Sequence, residues 1–121
     1  MSIEKINIAD KLAQINDTWN PRIVGELNGQ HVKLVKPDGE FVWHKHDNED
    51  EMFLVIKGNF YMALRDKTVH IKPGEFIIIP RGTEHKPFTE GEAEIMLFEP
   101  ASTLNTGNVK NELTKENLQR I

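Results

Sequence analysis

The chain has 121 residues, 38% hydrophobic and 28% charged, with a net charge of -4, an isoelectric point near 5.7 and no cysteine. That length suits one domain, 1–121, with a core that needs no covalent staple. The acidic balance argues against nucleic acid or an anionic membrane as partner, and the missing cysteine removes disulfides, thiolate chemistry and sulfur-ligated metal sites. No apolar run approaches the roughly 18 residues of a membrane span. Met1-Ser2-Ile3-Glu4-Lys5 lacks the basic and apolar regions of a secretory signal, so a cytoplasmic location is the expectation.

In chain order, Ile8, Leu12 and Ile15 fall at helical spacing, with Asn7 as N-cap and Asp10 three residues on. This predicts a short amphipathic helix over 8–16, ended by Trp19-Asn20-Pro21. From Arg22 the texture changes to short strands divided by turn residues. Arg22 to Leu27 is followed by Asn28-Gly29, a strong hairpin signal, and then by Gln30 to Lys36. Pro37-Asp38-Gly39 leads into Phe41 to His46. Beyond Glu51 to Lys57 come Gly58-Asn59, Phe60 to Arg65, Asp66-Lys67 and Thr68 to Ile71. Pro73-Gly74 opens onto Glu75 to Ile79, closed by Pro80-Arg81-Gly82; Glu84 to Phe88 and Ala93 to Glu99 are the last strands. Strands about 8 to 12 residues apart with a turn at nearly every break predict an antiparallel sandwich or barrel. After Pro100 the chain is polar, with a short helix expected from Thr114 that packs Leu118 and Ile121.

Met52 to Ile56 and Phe76 to Ile79 are apolar on both alternating faces, which predicts cover on both sides. Phe53, Met62, Phe76, Ile78, Phe88, Met96 and Phe98 are read as barrel lining and core. The outer face needs the N-terminal helix, the C-terminal tail or a second copy, and a homodimer is the expectation.

Among five histidines, His44 and His46 lie one residue apart, so on an extended chain they share a face. A turn over Asp47 to Asp50 brings Glu51 back toward that face. Two imidazoles and one carboxylate form part of a metal site. His31 and His70 are read as ordinary residues, and Asp47, Glu49, Asp50 and Glu84 as turn charges, Glu49 being the rival of Glu51. Lys33, His31, Tyr61 and Arg81 reach a ligand only if they face the barrel mouth.

Gly39, four residues, His44-Lys45-His46, four residues, Glu51, six residues, Gly58 resembles the first motif of the cupin superfamily. Gly74, five residues, Pro80-Arg81-Gly82, two residues, His85 resembles the second. Gly39 stands one residue nearer the first histidine than is usual, and Thr89 takes the place of a common asparagine. The resemblance implies an all-β, single-domain jelly-roll barrel with motif core at about 39–89. It implies a metal held by His44, His46, Glu51 and His85. Three imidazoles and a carboxylate suit one divalent transition metal such as zinc, iron, manganese or nickel.

Small cupins of this kind are also similar to the cupin domain of bacterial mannose-6-phosphate isomerases. The reading is therefore a metal-dependent enzyme acting on a small oxygen-rich metabolite: a sugar, sugar phosphate or keto or carboxylic acid. The alternatives are a non-catalytic module binding a sugar or carboxylate, and an iron-dependent dioxygenase. Residues that touch the substrate are not legible at this level.

Overall fold

Seven strands and one short helix make up the fold in a computed structural model that describes residues 3–121. Helix α1 is Ile8–Leu12, followed by β1 Arg22–Leu27, β2 Gln30–Val35, β3 Asp38–Glu40, β4 Glu51–Leu64, β5 Thr68–Ile71, β6 Phe76–Ile79 and β7 His85–Pro100. The strands form an antiparallel sheet in the order β1-β2-β7-β4-β5, with β3 also on β7 and β6 also on β4. This is the predicted all-β architecture. No helix among the described residues is long and apolar enough to cross a membrane.

Several boundaries move. Asn7 caps α1 as expected, accepting from the Asp10 amide at 2.9 Å, but the helix stops at Leu12 rather than at residue 16. Ile15 still buries beside Leu12 and Leu34, so the apolar spacing served packing after the helix had ended. Trp19 then turns the chain with φ 54, a left-handed value rare for a bulky residue. Its ring stacks on Phe41 at 4.7 Å and its Nε1 donates to the Asp38 carbonyl at 2.8 Å, which hold it there.

Gly58-Asn59 is not the end of a strand. β4 runs through it, and the register against β7 shifts between Val55 and Asn59. Gly58 has φ 93, and a Cβ there would lie 2.9 Å from Ala93 and from the Glu92 carbonyl oxygen. Glycine is required because two backbones meet at a bulge, not because the chain reverses. Likewise 84–88 and 93–99 fuse into one long β7. The helix expected from Thr114 is absent. The chain end instead lies beside β1: Arg120 bridges Ile23 in parallel, and the Ile121 amide donates to the Ile23 carbonyl at 3.0 Å.

Two apolar groups flank the sheet. The inward one gathers Val35, Phe53, Val55, Phe60, Met62, Ile71, Ile79, Ala93, Ile95 and Leu97. The outer one packs Leu12, Ile15 and Leu34 with Val24, Ile56, Met96 and Ile121, joining α1 to the chain end. Phe53 and Met62 line the interior as predicted. Phe76, Ile78, Phe88, Met96 and Phe98 do not: their alternate neighbours Ile77, Ile79, Pro87, Ile95 and Leu97 take the inward places. When both alternating sets are apolar, strand parity cannot be read from hydrophobicity. Phe76 and Ile78 remain 59% and 56% exposed.

Candidate metal centre

Local backbone bonding places the four predicted ligands. Phe41 to His46 forms no regular strand, yet its polar groups are well used. His44 and His85 exchange both backbone hydrogen bonds, at 3.0 and 2.9 Å, which joins the first motif to the start of β7. The Lys45 amide donates to Asn108 Oδ1 at 2.9 Å, while its carbonyl accepts from the Asn108 amide at 3.1 Å. The His46 carbonyl accepts from the Gly82 amide at 2.7 Å. Glu51 starts β4 opposite Ile79 of β6. A turn, the rim of β7 and the C-terminal tail thus fix the histidine segment together.

The side chains converge. One ligand-type atom from each of His44, His46, Glu51 and His85 lies within 4.8 Å of the others, and all four residues are buried. His44 Nδ1 lies 2.9 Å from the Val42 carbonyl and His85 Nδ1 lies 2.9 Å from the Thr83 carbonyl. Those carbonyls accept only from a protonated Nδ1, so whenever either ring is neutral its lone pair lies on Nε2. Glu51 Oε1 is 2.9 Å from His46 Nε2 and 3.2 Å from His85 Nε2. Even so, these three atoms have no partner with hydrogen-bond geometry among the described residues. Buried polar atoms left in that state are costly. Three imidazoles and a carboxylate with donor atoms this close together fit a cation, so the donor set is compatible with a divalent metal.

Burial, and then His85 nearby, lower His44 to about 4, so it is a neutral donor near pH 7. Burial alone would raise Glu51, but His46 and His85 outweigh it and hold the carboxyl at about 2. Burial would lower His46, and Glu51 reverses that, raising it above the ordinary histidine value.

Residues 31–99 match the cupin domain family. The chain belongs to that family. Among curated relatives, this cupin is 36% identical over 64 residues to the uncharacterized protein YdbB of Bacillus subtilis (strain 168), covering 52% of this chain and 57% of that protein. The chain thus spans little more than half the length of that relative. Among solved structures it is similar to a cupin-2 domain containing protein from Shewanella frigidimarina NCIMB 400, with 45% identity, a TM-score of 0.77, and 78% of this chain and 93% of the other covered. Protein NMB1881 from Neisseria meningitidis is 29% identical with a TM-score of 0.74, over 81% of this chain and 100% of the other.

A largely apolar pocket beside the ligands of this cupin is lined by Trp19, Phe41, Phe53, Phe60, Ile95 and Leu97. Its polar lining is Lys33, His44, Glu51, Glu99 and Asn105. Lys33 is therefore the one residue named for the barrel mouth that reaches this pocket. Glu49 accepts from Ser102 Oγ at 2.8 Å and is not among the four clustered residues, whereas Glu51 is. Arg81 pairs with Asp50 at 3.3 Å, tying the approach to Glu51 to the turn before His85. Glu84 pairs with Arg65 at 3.2 Å. Tyr61 stacks between His70 at 4.4 Å and Phe88 at 5.0 Å, on the outer side of β4. His31 is buried, 3.4 Å from Glu26.

Sequence reasoning missed Glu99, Asn105 and the tail. Glu99 was legible only as a charge ending an apolar alternation, Ile95-x-Leu97-x-Glu99. Nothing in the polar stretch after Pro100 signals its contact with Lys45.

Proposed function

We propose that this cupin binds one divalent transition metal through His44, His46, Glu51 and His85, and acts as a metal-dependent enzyme on a small oxygen-rich metabolite. The observation that carries this reading is the buried cluster of four ligand-type side chains with donor atoms within 4.8 Å of one another, in which His46 Nε2, Glu51 Oε1 and His85 Nε2 lack a partner of hydrogen-bond geometry among the described residues. Zinc, iron, manganese and nickel all suit the donor set. When bound, such an ion supplies Lewis-acid polarisation of a ligand oxygen. The residues supply the rest. His44 and His85 are held in one tautomer by Val42 and Thr83, and Glu51 offsets part of the cation's charge. Phe53, Phe60, Ile95 and Leu97 exclude water, which strengthens any charge interaction beside them.

A whole-chain reading follows. Residues 1–121 act as one domain, because the segment after Pro100 holds Lys45 through Asn108 beside the site, and the cytoplasm is the location we assign to it. Two copies pair through the outer face, where Phe76 and Ile78 are exposed. The expected likeness to mannose-6-phosphate isomerase cupins is carried to the scaffold and not to the substrate, since the pocket lining holds one lysine and no arginine.

Exchange of the α-protons of small keto and hydroxy acids and sugars with deuterated water, followed by NMR, tests the enzyme reading. Exchange is expected with the metal-loaded protein and not after chelation or in His46→Ala. Metal binding without exchange or turnover of any of these compounds would favour a non-catalytic binding module, and oxygen uptake by the iron form would favour a dioxygenase.

A further inference from the structure

Lys33 and Glu99 form a second polar group in the interior, outside the four ligands. Lys33 Nζ lies 3.3 Å from Glu99 Oε2, with side chains only 4% and 2% exposed. They come from neighbouring strands, β2 and β7, whose register sets Lys33 opposite Leu97 and His31 opposite Glu99. Glu99 also stands beside the metal centre. The β4–β7 ladder pairs Met52 with Phe98, and one residue further on are Glu51 and Glu99, both buried. Both members of the pair line the pocket that His44 and Glu51 line. A buried ion pair is a poor source of stability, because desolvation offsets most of its attraction. Its place in the pocket is better explained by a ligand.

Charge identifies the ligand. With Glu51 and Glu99 ionised, Lys33 leaves the interior one negative charge in excess; a divalent cation turns this into one positive charge. If Glu99 carries a proton, the excess is two positive charges. In either state an anion is favoured over a neutral molecule of the same shape, since uncompensated buried charge is costly. Lys33 is the only lysine or arginine among the pocket's lining residues. One ammonium suits a single carboxylate, whereas a phosphate commonly calls on a cluster of cationic and amide donors.

We propose that Lys33 anchors the carboxylate of the ligand, so that the pocket takes a small 2-keto or 2-hydroxy monocarboxylate whose second oxygen faces the His44–Glu51 end. Glu99 is a positioning residue that holds Lys33 toward the pocket. The inference rests on the metal reading above and narrows its substrate class to carboxylic acids.

The test is binding of pyruvate, and of uncharged hydroxyacetone as its control, to the cobalt-loaded full-length protein, read by the cobalt absorption spectrum. Wild type is expected to prefer pyruvate. Lys33→Met should weaken pyruvate about tenfold or more, the scale of one hydrogen bond to a charged group, and leave hydroxyacetone within about twofold. The double variant Lys33→Met with Glu99→Gln removes both charges of the pair and should show the same loss, while Glu99→Gln alone keeps an oxygen that accepts from Lys33 and holds it in place, so it should bind pyruvate at least as tightly as wild type. Equal pyruvate affinity in wild type and Lys33→Met overturns the proposal. So does equal affinity of wild type for the two probes, or a loss in Glu99→Gln as large as in Lys33→Met. A wild-type protein that takes up no cobalt overturns the metal reading and this inference together; cobalt uptake without preference for pyruvate overturns this inference alone.

Discussion

At a buried imidazole a proton and a metal compete for one lone pair, and at His44 the surroundings disfavour the proton. Its value is lowered to about 4 by burial and by His85 beside it, so the unfolded chain takes up this proton more readily than the folded one between about pH 4 and 6.5. Stability should therefore rise with pH across that window. The metal-free protein is expected to gain on the order of 3 kcal/mol from this group, readable as a rising urea midpoint in the presence of chelator. His46 has the opposite sign: its raised value contributes stability present below 6.5 and lost as pH rises through the folded value. His44→Asn should flatten the rise between pH 4 and 6.5. An equally steep rise in that variant would place the effect elsewhere. At this scale the sequence was most legible for the ligands. Alternation put His44 and His46 on one face with Glu51 turning back toward them, and only the resemblance to the cupin motifs supplied His85; the structure brings the four together. Lys33 was legible only as a possibility, since a lysine in a strand gives no sign of which face it takes.

Turn residues at the scale of the element were read correctly as positions of unusual backbone, and less well as the ends of strands. Gly58 marks a bulge within β4, where a short-range signal cannot distinguish a reversal from a close crossing of two chains. The clearest element-scale consequence lies in the tail. Gly107 has φ 55, and a Cβ there would collide with the Lys45 carbonyl oxygen and come within 3.1 Å of the His44 ring. Gly107→Ala should therefore cost about 1–3 kcal/mol through backbone strain and displaced neighbours, and lower metal affinity as well. Asn108→Ala removes the bond to the Lys45 amide and should cost about 1 kcal/mol. Thermal unfolding and metal titration of both variants check this; unchanged affinity in both would mean that the tail merely covers the site. The polar composition after Pro100 hid this role, because the tail acts through backbone geometry and one amide rather than through apolar burial.

For the whole molecule, the outer sheet face sets the expectation. α1 and the chain end cover Leu34, Ile56 and Met96, but Phe76 and Ile78 lie beyond their reach. A second copy over that edge would bury them at about 1.5–3 kcal/mol per fully covered side chain. Sedimentation velocity at micromolar concentration should show a dimer for wild type and a monomer for Phe76→Glu with Ile78→Lys. A wild-type monomer would remove the second copy from the account. The architecture was legible from the rhythm of strands and turns. The fusion of strands into long β4 and β7, and the return of the chain end to β1, were not, because they depend on partners far away in sequence.

The central claim is that one metal is held by side chains from two distant parts of the chain, with His85 closing from β7 a set begun by His44, His46 and Glu51. Elemental analysis of purified wild type, His46→Ala and His85→Ala tests it most directly. The account predicts about one transition metal per wild-type chain and a loss of tenfold or more in each variant. Equal metal in all three proteins, or none in any, would contradict it.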